Sequence, residues 1–183
     1  MISLELDQRE FDSIQSALEQ RPAQASRALV RAINKTLTWA GSQGLRAMAQ
    51  ENNIPLKVLR GGRAKGRRGR SRIFQAKQTY VSGLLWLGTG PIKAGYLPPL
   101  RQQPLGAMAG KHFFKGSFVS KMPTGHIGIF SRKGASRLPL REEYVRLSAA
   151  EKALDGVQRG LATRLETTFA QEFNYEVNVR GAL

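Results

Sequence analysis

Ninety consecutive residues, Asn52 to Arg141, carry eighteen lysines and arginines and not one carboxylate. Within the stretch, therefore, no cation has an acidic partner. A compact fold that gathers them repels itself unless something negative sits close by. The flanks are different. Met1 to Glu51 has six basic and six acidic residues, and Glu142 to Leu183 has five and seven, so the whole +16 net charge originates in the centre. Evenly mixed cations would speak only of solubility, whereas their segregation speaks of a partner.

Several classes are excluded early. The chain has no cysteine, so disulfides, Cys-ligated zinc, iron–sulfur clusters and thiol nucleophiles are ruled out. The first fifteen residues place acids early and lack the apolar core of a secretory signal. No run reaches the ~18 apolar residues of a membrane span. The expectation is one domain over residues 1–183, without a membrane segment and assembled in a cytoplasm.

Periodicity predicts the elements. Ile2 to Leu6 alternates as a short strand. Asp7 and Glu10 have capping-box spacing before a short helix striped by Phe11, Ile14 and Leu18. Pro22 suits a first helical turn, and Leu29, Ile33, Leu37, Ala40, Gly44 and Met48 then step by four and three along one face of about 30 residues. Gly41 and Gly44 read as close-packing points. Asn52, Asn53 and Pro55 end this helix. Apolar runs follow at 72–81 and 83–88, a Gly/Pro-rich irregular loop at 88–110, and strands at 113–119 and 126–130 that bracket a turn at 121–125. Ser148 to Glu151 is a second capping box, opening a helix striped by Leu154, Val157, Leu161, Leu165, Phe169 and Phe173. Alternating Tyr175, Val177 and Val179 predict a terminal strand. The fold class is α+β: a mainly antiparallel sheet, a long helix in the N-terminal half and a C-terminal helix packed on it, and a long basic arm.

Catalytic chemistry finds little support. His112 and His126 lie in the acid-free stretch, so an orienting carboxylate would have to come from a terminal helix. Fourteen residues apart on opposite sides of a turn, they form no metal motif. Glu142 and Glu143 are adjacent, so their side chains diverge toward solvent rather than flank a scissile bond. The Gly106–His112 run is one residue short of a phosphate loop and lacks its hydroxyl residue, and Gly88-Thr-Gly90 stops being a dinucleotide fingerprint at Pro91. The expectation is no enzyme, no cofactor and no metal.

The basic segment is the candidate site. Lys57, Arg60, Arg63, Lys65, Arg67, Arg68, Arg70 and Arg72 put eight cations in sixteen residues, the core of a flexible arm spanning 57–72. Guanidinium forks match phosphate oxygens in pairs, and glycines let the chain follow a curved surface. Lys111, Lys115, Lys121, Arg132 and Lys133 form a secondary basic surface. Contact with a polyanion, nucleic acid or an acidic protein, explains this pattern better than solubility does. No recognition-helix signature or RNP-like aromatic pair accompanies it, which argues against sequence-specific readout. Phe113, Phe114, Phe118 and Phe130, at strand spacing, read as core more than as base-stacking platforms.

The C-terminal half also carries a recognisable string. Gly116-Ser-Phe118-Val-Ser-Lys-Met122, then Gly125-His-Ile-Gly-Ile-Phe130-Ser-Arg132-Lys-Gly134, then Arg137-Leu-Pro-Leu-Arg-Glu142 resembles the prophage minor tail protein Z family of tailed bacteriophages. Upstream, Ala28-Leu-Val-Arg-Ala-Ile-Asn34-Lys-Thr36 resembles the long helix of that family with its A-x-N-x-T core, and Asn53-Ile-Pro55 fits as well. The likeness spans roughly residues 22–172. Where family members often carry a Y-G-P-S turn, this chain departs with Tyr144-Val-Arg-Leu-Ser148. The resemblance implies a structural minor tail protein acting in tail completion at the head-proximal end of a siphovirus-like tail, and in head–tail joining near the DNA path. It further implies a virion location, other tail and neck proteins as partners, a homo-oligomeric ring with six-fold symmetry favoured, and non-specific contact with genomic DNA. The residues alone leave an alternative, a free, sequence-nonspecific nucleic-acid-binding protein of nucleoid or RNA-chaperone type.

Overall fold

Two runs of helix and a run of short strands dominate the computed structural model, which describes residues 8–61, 69–147 and 150–180 and, of 8–11 and 150–153, the backbone only. The strand expected at 2–6 and the caps Asp7 and Ser148 lie outside the described residues. The chain is α+β with several small antiparallel sheets, a long N-terminal helix and a C-terminal helix. It divides into two compact units, one of residues 1–47, 70–87 and 151–183 and the other of 48–69 and 88–150.

The first unit is mainly helical. Helix α1 (Gln8–Gln20) is followed after one residue by α2 (Pro22–Glu51), whose last turn counts with the second unit. The face that α2 buries matches the predicted stripe at Ala40, Gly44 and Met48 but is rotated toward alanines in the first half of the helix. Ala25, Ala28, Ala32 and Ala40 are fully buried and Thr36 nearly so, while Leu29, Ile33 and Leu37 are only partly buried and flank the core. Small side chains let neighbouring backbone approach, and the larger ones close the sides. Ile14 and Ala17 of α1, with Leu165 and Phe169 of α5 (Leu161–Asn174), pack against this alanine spine.

Strands β1 (Ser71–Phe74) and β2 (Leu84–Leu87) form an antiparallel hairpin on the same helix. Its inward residues Ile73, Leu85 and Leu87 meet Ala40, together with Val157 of α4 (Ala150–Gln158) and Leu161. Gly41 and Gly44 are the close-packing points expected. A Cβ on Gly44 would stand 2.7 Å from a Leu87 methyl, and one on Gly41 3.3 Å from a Leu85 methyl. The terminal strand is a correction. Tyr175–Val179 continues α5 as a π-helical turn, because Glu176 is held by cations spaced for a helix.

The second unit is mainly strand. Helix α3 (Leu56–Arg60) buries Val58 and Leu59, and β3 (Ile92–Lys93) leads into a 3-10 turn at Ala94–Tyr96. Strands β4 (Leu100–Gln103), β5 (Gly106–Ala109) and β6 (His112–Lys115) make one three-stranded sheet. Strands β7 (Ser117–Lys121), β8 (Ile127–Arg132) and β9 (Leu140–Glu142) make another, and β10 (Tyr144–Val145) pairs with β3. Residues 88–110 are therefore not the irregular loop predicted. Their glycines and alanines lower the apolar signal but serve close packing: Ala107 and Ala109 are fully buried, and a Cβ on Gly106 would lie 2.1 Å from the Phe114 carbonyl oxygen. The strand expected over 113–119 is split, since Gly116 adopts φ 67 and sends β6 and β7 into different sheets. The hairpin around 121–125 forms as predicted, closed by bonds from Met122 N–H to the His126 carbonyl and from Gly125 N–H to the Met122 carbonyl.

Candidate functional site

In the helical unit one row of cations is paired internally. Arg27, Arg31 and Lys35 step by four along α2, while Glu172 and Glu176 step by four at the end of the chain, so each set forms a row. Arg27 Nε lies 2.7 Å from Glu176 Oε2 and Arg31 Nη1 2.7 Å from Glu176 Oε1, while Lys35 bonds Glu172. The pairing runs antiparallel, and Arg180 adds a bond to Glu176 at 3.2 Å. The Glu176 side chain is fully shielded from solvent. The Arg27 hydrogen bond holds its carboxyl below the ordinary range; burial opposes that shift, and Arg180 and Arg31 reinforce it. This ladder escaped the sequence reading, although its four-residue spacing on both helices was there to see.

The motif residues of α2 have separate tasks. Asn34 clamps the backbone just past β1: its Nδ2 donates to the Ala76 carbonyl at 3.1 Å, and its Oδ1 accepts from the Ala76 N–H at 2.8 Å. Ala32 lies in the alanine spine, and Thr36 buries a hydroxyl that has no hydrogen-bond partner among the described residues.

In the strand-rich unit an acid reaches the acid-free stretch through tertiary pairing. Glu142 stands opposite Phe130 in the β8–β9 register, which brings its Oε1 to 2.6 Å from His126 Nε2 and its Oε2 to 2.7 Å from Lys93 Nζ. Burial pushes the Glu142 carboxyl up, but the hydrogen bonds from Lys93 and His126 outweigh it and leave the group below its ordinary range. The same bond raises Lys93. Glu143 accepts from Ser131 Oγ at 2.5 Å and lies 3.5 Å from Arg141. The two glutamates thus diverge as expected but do not face solvent, and the carboxylate beside His126 comes from a strand rather than a terminal helix. His126 packs edge-to-face against Tyr96 and Phe130, each at 6.3 Å. It lines an open groove of about 800 Å³ with Lys57, Tyr96, Leu100, Val119 and Ile127. The Gly106–His112 run is β5, a turn at Gly110 and the start of β6. No described cluster of three or more acidic, His or Cys residues could hold a metal.

The structure divides the predicted basic arm. Lys57 and Arg60 lie in α3, which is anchored by Leu59, and Arg72 lies in β1, so both ends of the supposed arm are regular structure. Arg63, Lys65, Arg67 and Arg68 lie outside the described residues. A Cβ on Gly69 would be 2.7 Å from the Arg60 carbonyl oxygen, so the chain returns beside the point where it left. Lys57 and Arg60 belong to the strand-rich unit and Arg70 and Arg72 to the helical one.

The secondary surface is held on strands and turns. Arg132 stacks over Phe118 at 5.8 Å, and Lys111 bonds Asn53 Oδ1 at 3.3 Å. Lys115, Lys121 and Lys133 are exposed. Among the described residues Lys57, Arg60, Lys115, Lys121 and Lys133 form no ion pair with a carboxylate, unlike Arg27, Arg31 and Lys35 of α2. Such an arrangement can meet phosphates or an acidic surface with little rearrangement.

Comparison with known proteins supplies one match. A family model described as prophage minor tail protein Z (GPZ) matches residues 12–180. No curated protein and no solved structure matches the chain. No helix among the described residues is long and apolar enough to cross a membrane.

Proposed function

We propose that the chain, which belongs to the prophage minor tail protein Z family, completes the tail at its head-proximal end and helps join head to tail beside the DNA path. A structural role in the phage tail, a place in the virion and contact with other tail proteins follow from the family itself. The finer reading is ours. In it the chain acts without catalysis and assembles as a homo-oligomeric ring, six-fold favoured. Its basic segments touch genomic DNA without reading sequence.

One observation carries this reading: the partition of charge. Arg27, Arg31 and Lys35 on α2 are neutralised by Glu172 and Glu176, while the cations of the strand-rich unit have few carboxylates. A ring would gather the uncompensated cations on one annulus around a polyanion, where Arg and Lys displace counterions and the contact weakens steeply with salt. The Glu–His pair at His126 is packed between rings and supports structure, not turnover.

The test combines negative-stain imaging of the purified protein with filter binding of duplex DNA at low and moderate salt. The reading expects rings that survive salt while DNA retention falls. Strict monomers that never accompany tails or virions overturn it. Monomers that bind nucleic acid tightly instead point to the free nucleic-acid-binding alternative.

A further inference from the structure

Among the eight edge strands of the described sheets, seven carry a charge or are two residues long: Arg72 in β1, Lys93 in β3, Arg101 in β4, Lys115 in β6, Lys121 in β7, Arg141 in β9, and the short β10. Charged side chains are the ordinary defence of an open edge against another chain. Strand β2, Leu84-Leu-Trp-Leu87, has no such defence. Each strand of a two-stranded hairpin points half its N–H and C=O groups away from its partner. Those of β2 bond to nothing else among the described residues. Apart from Arg72, which stacks over Phe74 at 5.0 Å, the outward face of the hairpin is apolar too: Trp86 is 51% exposed, Phe74 46% and Leu84 44%, with Tyr80 and Val81 exposed in the connecting loop.

We infer that β2 is a self-association edge, at which two copies of the chain pair their Leu84–Leu87 strands antiparallel across a two-fold axis. Two hairpins then become one four-stranded sheet, β1-β2-β2-β1. Two strands alone are marginal, and four with a shared apolar face are not. Charge selects a second copy as the occupant. A chain of net charge +16 repels its own copies wherever cations face each other, and residues 78–92 are the longest uncharged run of the basic centre. Each Arg72 sits on the outer strand, three strand spacings or roughly 14 Å from its mate, beyond the ~8 Å screening length at physiological salt. A lysine within β2 would instead stand about 5 Å from its counterpart. An acidic partner would be drawn to the cationic edges and gain nothing here.

This inference goes beyond the ring and does not rest on it, because edge pairing doubles whatever assembly the chain otherwise makes. Sedimentation of the full chain over a wide concentration range should give an even multiple of 20.2 kDa. Trp86→Lys and Trp86→Glu should each halve that mass with thermal unfolding of the remaining species still cooperative, since Trp86 faces away from α2. Mixing the two variants in equal amounts should restore the original mass through opposite charges across the axis. A wild type that sediments as a single chain overturns the inference. So does an unchanged mass in both variants, or a mixture that fails to reassemble. Rings that persist at half mass would leave the tail-completion reading intact, and a bare dimer without rings would remove that reading while keeping this one.

Discussion

The helical and strand-rich units handle positive charge in opposite ways. In the first, Arg27, Arg31 and Lys35 face Glu172 and Glu176 across two helices, and the acid between them is completely buried. In the second, Glu142 and Glu143 are taken up locally by Lys93, His126, Ser131 and Arg141, and most cations are left to solvent. The helical unit therefore neutralises its central row of cations, whereas the strand-rich unit leaves most of its cations without a carboxylate.

The contrast breaks most readily where backbones touch. Gly106→Ala drives a Cβ onto the Phe114 carbonyl oxygen and should cost about 3 kcal/mol or more in denaturant unfolding, a loss in the strand-rich unit unrelated to charge. Next, Glu176→Ala should cost about 2–3 kcal/mol, below the usual cost of breaking a buried pair because Arg27 and Arg31 are each about one-third exposed. The sign of its pH dependence is fixed. Because the folded-state pKa of Glu176 is lowered, its contribution is complete above the ordinary glutamate range and fades as pH falls through and below it. Glu176→Gln should flatten that acid-side decline in thermal melts.

Asn34→Ala should cost about 1–2 kcal/mol, since it leaves both backbone groups of Ala76 without their partner. Smallest in stability are Lys115→Ala, Lys121→Ala and Lys133→Ala, each within about 0.5 kcal/mol by thermal melt. If these lysines meet phosphates, each loss should lower the salt slope of DNA binding by about 0.9. An unchanged slope would assign the open charges to an acidic protein instead.

Long-period signals were legible. The extent of α2 follows from its spacing, and the β7–β8 hairpin from its turn. The buried face of α2 was read correctly at Ala40, Gly44 and Met48 but misplaced in its first half, because hydropathy favours Leu29, Ile33 and Leu37 over the alanines that let neighbouring chain approach. Residues 175–179 alternate like a strand for five positions, too few to outweigh ion pairs that demand helical spacing. Strands β4 and β5 were hidden by glycine, proline and alanine, whose use there is steric rather than hydrophobic.

By itself the sequence determined the charge map, the absence of thiol chemistry, the α+β class and the family likeness, since each depends on composition or on spacing along one segment. Tertiary structure decided which charges are spent and which are free. It set Glu176 among three arginines and drew Glu142 into the basic centre beside His126 and Lys93. It also left β2 with an open edge. Ion pairs and strand edges join residues far apart in the chain, as Arg27 and Glu176 are, and no local pattern encodes such a meeting.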